Sequence, residues 1–363
     1  MSAQIHFQGP HRYRLRSAAE LSQAILEVSA RRAVKGPRLP TWNWYLEVAT
    51  EMVRRQTLTA FRMADVIEAR RYLDSVVIRS SELSAVNIVP VVKEKFNGSW
   101  FAQKDSSLAK IDPSKNDDLN KPDPPLTLLY FHGGGYSFYP RAYATFIAQI
   151  TLAAKAQTFA LDYRLSPEHR FPAQLDDALR SYRWLLETGI DSGRLIVAGD
   201  SAGAHLTLAL LLAARDAKLP LPALAIALSP PPDFEAEFIE TEVSGHPAFD
   251  WIDKHELEKW AAWFCGTDER QNPLISPIRA DLRGLPPIYI QAGCAEILYP
   301  SIQAFADRAQ KQGANVTLEA WDDMTHVFQM FGPDCPQSAA ALHRIAEVIA
   351  AQVRQTHVET VSP

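Results

Sequence analysis

Read from its N-terminus, the chain repeats apolar residues at helical spacing and then changes period. Trp42, Trp44, Tyr45, Val48, Met52 and Val53 share one helical rhythm, and a second segment, Thr57–Asp74, carries Leu58, Phe61, Val66, Ile67 and Tyr72 in the same way. Roughly the first eighty residues therefore read as helical. Ala85–Val92 alternates as a half-buried strand does, and Gly98–Phe101 reads as its return in a hairpin. The polar, proline-rich stretch Lys104–Pro125 reads as an exposed loop.

From Leu126 onward strands and helices alternate. The apolar run Leu126–Phe131 is of the kind a buried parallel strand produces. A helix over Ala142–Ala154 follows, then the strand Thr158–Asp162, the helix Ala173–Glu187, the strand Leu195–Ala198 and a helix from Ser201 to Ala217. Further on come the strands Ala223–Leu228, Ile288–Gln291 and Val316–Ala320, with helices over Ser301–Lys311 and Ser338–Val353. Strands separated by helices imply βαβ units and a mostly parallel sheet flanked by helices. One block, Asp233–Leu282, is far longer than an ordinary connection and reads as a lid, with a helical piece at Asp253–Phe264 and Trp251, Trp260 and Trp263 along it. The expected organisation is a helical cap segment over 1–83, an α/β core over 84–230 and 283–363, and a cap insertion over 231–282.

Composition narrows the class without naming a function. The 363 residues are 47% hydrophobic and 22% charged, enough apolar material for a sizeable core. A net charge of −5 gives no footprint for nucleic acid, and no basic block suggests an anionic membrane surface. The longest apolar stretch, Leu206–Ala214, is about half the ~20 residues needed to span a bilayer. Three cysteines, Cys265, Cys294 and Cys335, have neither the number nor the spacing of a disulfide framework or a zinc site. The N-terminal residues lack the apolar core of a secretory signal, so a reducing, cytoplasmic setting is expected.

Two glycine motifs carry the chemistry. Gly199-Asp200-Ser201-Ala202-Gly203 follows a strand and opens a helix, the context in which GxSxG places a serine on a sharp turn with its hydroxyl exposed. That helix start also offers free N–H groups and a positive dipole end to a developing oxyanion. His132-Gly133-Gly134-Gly135 follows the strand Leu126–Phe131, where consecutive glycines let backbone N–H groups converge on one point. A phosphate cradle is the rival reading, although neither GxxxxGK[ST] nor GxGxxG occurs in the chain.

With both motifs present, and with Asp162-Tyr163-Arg164-Leu165-Ser166-Pro167-Glu168 followed by Phe171-Pro172-Ala173, the chain resembles the hormone-sensitive-lipase-like carboxylesterases of the α/β-hydrolase fold. The resemblance runs from about Leu126 to Phe328. It implies Ser201 as nucleophile, with an oxyanion hole built from the N–H groups of Gly134, Gly135 and Ala202. The acid and the base should follow in the chain order Ser, acid, His. Among ten histidines, His326 has the position of a base, and Val327 stands where the family usually has Gly. For His169, His205, His246 and His255 a structural reading is preferred.

The acid expected is Glu296, where the family more often places Asp, and Tyr299-Pro300 replaces an acidic pair that usually follows. Asp322 and Asp323 are rivals on the loop of His326. The expected function is hydrolysis of short- to medium-chain or acetyl esters of a hydrophobic small molecule through an acyl-enzyme, with no cofactor and no metal. Trp42, Trp251 and Trp263 are expected to bind substrate, though such residues equally glue lid segments together. A small-molecule partner and no nucleic acid are expected, and a homodimer is allowed for. A ligand-binding protein, or a lyase or cyclase acting on a natural product, is the alternative on this fold.

Overall fold

The computed structural model describes residues 4–104, 126–235, 249–267 and 269–361. Its frame is an eight-stranded sheet formed by β3 (Val86–Val92), β4 (Asn97–Gln103), β5 (Thr127–Phe131), β6 (Gln157–Asp162), β7 (Leu195–Asp200), β8 (Leu224–Leu228), β9 (Ile288–Gly293) and β10 (Val316–Trp321), in the order β10-β9-β8-β7-β5-β6-β4-β3. The hairpin β3–β4 joins β6 antiparallel, and every other pairing is parallel.

Burial on both faces explains the near-continuous apolar runs of the central strands. Leu129 and Phe131 of β5 and Leu195 and Val197 of β7 point to one face. Leu128, Tyr130, Ile196 and Ala198 point to the other. On the first face lie α6 (Ala173–Glu187), α7 (Ala202–Asp216) and the helix Tyr299–Lys311, through Leu185, Leu206 and Phe305. On the second lie α5 (Tyr143–Ala154) and the C-terminal helix Pro336–Val361, through Ile147 and Ile345.

The N-terminal segment departs from the sequence expectation in two places. A small antiparallel sheet pairs β1 (Gln4–Phe7) with β2 (Val76–Arg79), with Ile5 opposite Ile78. Two four-residue strands about seventy positions apart carry no period for a sequence to show. The segment Thr57–Asp74 is also not one helix. Following α1 (His11–Lys35), α2 (Trp44–Arg62) stops at Arg62, and α3 (Val66–Leu73) restarts behind Asp65, whose side chain accepts from the Ile67 N–H at 2.8 Å. An aspartate there satisfies an orphan donor of the new helix, which favours ending one helix and starting another. A one-turn helix, α4 (Ser81–Ala85), leads into β3.

In the long insertion the helix α8 (Lys254–Phe264) begins with a capping box between Asp253 and Glu256. It meets α2 edge-on: Phe61 lies 4.9 Å from the Trp260 ring, and 6.0 Å from the Trp263 ring in a stacked arrangement. Aromatic pairs of this kind contribute about 0.5–1.5 kcal/mol each beyond area burial. The N-terminal segment and the insertion are thereby fastened together above the sheet. Residues 105–125 and 236–248 of the expected loop and lid fall outside the described residues.

Candidate active site

β5 and β7 lie side by side, but the chain leaves them in opposite directions, toward β6 and toward β8. Their carboxyl ends therefore form the crevice at which open α/β sheets bind ligands. Both glycine motifs sit there. After β7 the chain turns into α7 through Ser201 alone, at φ 50° and ψ −120°, a strained conformation of the kind that costs about 1–3 kcal/mol. The turn closes because its neighbours are glycines. A Cβ on Gly199 would stand 2.4 Å from the Gly203 oxygen, and one on Gly203 would stand 2.0 Å from the Phe131 oxygen. The Ser201 N–H donates to the Leu228 carbonyl at 2.8 Å, which holds the bend against β8.

Asp200 ties this turn to the other motif. Its buried carboxylate accepts from the Tyr130 hydroxyl at 2.6 Å, the Tyr143 hydroxyl at 2.9 Å and the Gly133 N–H at 3.0 Å. Burial outweighs the downward pull of these three donors, and the carboxyl is raised to about 6. His132 serves the loop as a wedge. Its ring stacks between Tyr139 at 3.7 Å and Tyr163 at 4.1 Å, and burial pushes the imidazole down to about 3. A neutral ring is then free to donate from Nδ1 to the Gly133 carbonyl at 2.7 Å. Gly134 and Gly135 follow at φ 96° and 58°, with the Trp260 indole so close over Gly135 that a Cβ there would meet the ring at 2.4 Å.

Glu296 and His326 come from turns after the adjacent parallel strands β9 and β10. Cys294 N–H bonds to the Trp321 carbonyl and Ala295 N–H to the Met324 carbonyl, so the two turns are laced together. His326 Nδ1 lies 3.0 Å from Glu296 Oε2, and Nε2 lies 2.8 Å from Ser201 Oγ. Both side chains of the former pair are fully buried. Burial raises the Glu296 carboxyl, while the Ser229 hydroxyl and the Gly293 backbone lower it. Burial lowers the His326 imidazole, while Asp250 and Asp200 raise it. The rivals stand elsewhere: Asp323 accepts from Thr41, and Asp322 is exposed beside Cys294.

Asp250, in the insertion, is the residue that sequence reasoning missed. Its Oδ1 accepts from the Thr325 hydroxyl at 2.7 Å, the Trp251 N–H at 2.8 Å and the His326 N–H at 3.1 Å, and its Oδ2 accepts from the Ile297 N–H at 2.8 Å. One buried carboxylate thus pins both turns. The only signal in the chain is an acid placed between two aromatics, Phe249 and Trp251.

A cavity of about 240 Å³ opens on Ser201, Gly134 and Gly135. Of the three tryptophans expected at the substrate, Trp251 lines it, and its Nε1 also donates to the His326 carbonyl at 2.6 Å. Trp42 stands outside the lining, packed with Met324 and Phe328, and Trp263 stands outside it as well, stacked on Phe61. The gluing role fits those two, and Trp260 takes a place in the wall instead. His205 is buried and structural, donating from Nε2 to the Ile275 carbonyl at 2.8 Å with Tyr136 at Nδ1. His169 and His255 are exposed, and His246 lies outside the described residues.

Comparison with known proteins agrees with this fold. A family model described as the alpha/beta hydrolase fold matches residues 128–330. The chain is similar to an acetyl-hydrolase of Streptomyces hygroscopicus, 41% identical over 218 residues, which covers 60% of this chain and 72% of that one. It is also similar to an esterase of Acinetobacter venetianus, 33% identical over 232 residues, covering 61% of this chain and 74% of that one. Among solved structures, an esterase from the bacterial hormone-sensitive lipase family superposes with a TM-score of 0.72 at 32% identity, covering 86% of this chain and 99% of that one. EstE5, in crystals soaked with p-nitrophenyl butyrate, superposes with a TM-score of 0.73 at 29% identity, covering 86% of this chain and 100% of that one.

Proposed function

The chain belongs to the α/β-hydrolase fold family and is a serine esterase related to the hormone-sensitive lipases, and on that premise we propose that Ser201, His326 and Glu296 are its catalytic triad. The observation that carries the assignment is the unbroken line from Ser201 Oγ through the imidazole to Glu296 Oε2. A carboxylate can only accept, so it fixes the proton on Nδ1 and leaves Nε2 as the acceptor for the serine proton.

In the reaction, Ser201 Oγ forms a bond to the ester carbonyl carbon as its proton passes to His326 Nε2. The oxyanion receives the N–H groups of Gly134, Gly135 and Ala202. Gly133 and Ser201, which precede Gly134 and Ala202, commit their own N–H groups elsewhere, to Asp200 and to the Leu228 carbonyl. The alcohol leaves with the proton from His326. Water, with His326 as base again, then releases the acid and restores the serine. Asp250 touches no reacting atom in this scheme. It is a positioning residue that holds the turns of acid and base and, as an anion, favours the imidazolium that forms.

The substrate is an acetyl or short- to medium-chain ester of a hydrophobic small molecule, bound with Trp251 and Trp260 in the wall. An acyl-chain series of p-nitrophenyl esters should peak at short to medium length, and an organophosphonate should attach covalently at Ser201. Absence of turnover, or attachment at another residue, removes this reading. Among the described residues no helix is long and apolar enough to cross a membrane. A cytoplasmic setting is part of this reading, supported by the free thiols of Cys265, Cys294 and Cys335, which suit reducing conditions.

The pH profile tests base and positioning residue together. Because burial lowers the His326 pKa from its ordinary 6.5, the base stays unprotonated to lower pH, and the acid limb of kcat/KM should fall below pH 6.5. Asp250 opposes that shift, so Asp250→Asn should move the limb further down while cutting kcat by about 10²-fold through misplaced turns. Titrating kcat/KM of both proteins checks this. A limb that stays put in Asp250→Asn would show the carboxylate to be scaffolding alone.

A further inference from the structure

Consecutive glycines give the loop Gly133-Gly134-Gly135 no side chains with which to pack, so other parts of the chain must hold it. One hold comes through its own carbonyls. The Gly133 carbonyl accepts from His132 Nδ1 at 2.7 Å. The Gly134 carbonyl accepts from the N–H groups of Ser137 at 3.0 Å and Phe138 at 2.9 Å. A trans peptide points its N–H away from its own carbonyl, so these bonds turn the Gly134 and Gly135 N–H groups the other way.

The other hold comes from the cap. A Cβ placed on Gly135 would lie 2.4 Å from each of Cδ2, Cε2 and Nε1 of Trp260. A point equally distant from three atoms of a five-membered ring lies on the axis through its centre. The indole therefore presents its face, not its edge, to Gly135. Trp260 is itself braced by Phe61 of α2, which meets it edge-on with ring centroids 4.9 Å apart. Phe61 also meets Phe138 edge-on at 5.8 Å, and the Phe138 carbonyl oxygen lies 2.1 Å from where a Cβ on Gly134 would stand. Both glycines are thus backed by residues that Phe61 touches. Trp260 lines the cavity at Ser201, and Phe61 does not.

Resting on the esterase reading above, we propose that Trp260 is a positioning residue of the oxyanion hole, whose indole face, braced by Phe61, keeps Gly135 in the left-handed conformation that aims the loop's N–H groups. Gly135 has φ 58°, and a glycine leaves that region at little cost unless something covers it. Donors fixed before charge develops cost no reorganisation during the reaction, so their placement governs rate. The cap then sets how fast an ester is cleaved as well as which ester enters.

The test uses the full chain as wild type, Trp260→Leu, Trp260→Phe and Phe61→Leu, on p-nitrophenyl acetate, butyrate and hexanoate. Rates are taken per serine titrated to completion with an organophosphonate, so misfolded protein does not count. Two inhibitors separate rate from fit. An alkyl trifluoromethyl ketone adds to Ser201 Oγ and leaves its oxygen as an anion in the hole, and the matching secondary alcohol fills the same space without adding. Trp260→Leu should lower kcat by about thirtyfold on all three esters, less than the ~10²–10³ lost when a donor is removed outright. Its affinity for the ketone should fall by the same factor while that for the alcohol barely moves. Trp260→Phe keeps a flat face and should recover most of the loss. Phe61→Leu, which removes no cavity contact, should show the same pattern at about fivefold. A Trp260→Leu loss that grows with acyl length, or that weakens alcohol and ketone alike, makes Trp260 a wall only and overturns the proposal. If that variant does not fold, Phe61→Leu decides, and an unchanged ratio of ketone to alcohol affinity overturns it. A wild type that cleaves none of the three esters sinks the esterase reading itself.

Discussion

Replacing Ser201 with alanine should lower kcat by ~10⁴–10⁶ while the protein keeps its fold and binds substrate with an unchanged affinity. The substitution removes one oxygen from a turn whose shape is set by other atoms. The 2.8 Å bond from the Ser201 N–H to Leu228 remains, as do the contacts that Gly199 and Gly203 permit. His326 loses its partner at Nε2 but keeps Glu296 and the anchors on Asp250. The residual rate should still exceed that of water, because the oxyanion donors and the cavity survive. Steady-state kinetics on a p-nitrophenyl ester, with a thermal melt as the check on folding, reads the result. Turnover near the wild-type level would remove Ser201 from the mechanism.

Glu296→Gln should come next in size, with kcat down by about 10⁴-fold and KM little changed. The two side chains are nearly the same shape, so the cause is electronic. Glu296 Oε2 requires a proton on Nδ1, and that requirement leaves Nε2 unprotonated toward Ser201. Glutamine can turn its amide N–H toward Nδ1, which moves the ring proton to Nε2 and leaves no base. It also withdraws the charge that offsets the imidazolium in a site where both partners are buried. Glu296→Asp keeps the charge and should lose far less. If Glu296→Gln loses less than tenfold, the acid lies elsewhere.

Much of this molecule was readable in its residues because the central strands are buried on both faces. Leu126–Phe131 and Leu195–Ala198 could stand out as runs only because neither side meets water. The N-terminal segment was less readable. Its two short strands find each other across about seventy residues, and its helix break at Asp65 turns on one side-chain hydrogen bond. At the site, Ser201, His326 and Glu296 carry local signatures. The preference for Glu296 over Asp322 and Asp323 rested on resemblance, and it is distance that separates them here. Asp250 has no such signature, since what it touches lies on turns reached only after folding. The tryptophans were readable as aromatic and not as placed: Trp42 and Trp251 look alike in the chain, yet one packs under the histidine turn and the other faces the cavity.

The N-terminal segment grips the histidine turn directly. Trp42 Nε1 donates to the Asp323 carbonyl at 2.5 Å, Thr41 holds the Asp323 carboxylate, and Asn43 donates to the Asp334 carbonyl at 3.1 Å. Swapping this segment for one from another esterase, as an engineer would do to graft a new selectivity, therefore also replaces the clamp on the general base. Reactivity and selectivity in this chain are not separable modules, and a transplant has to carry residues 41–43 with it to change one without disturbing the other.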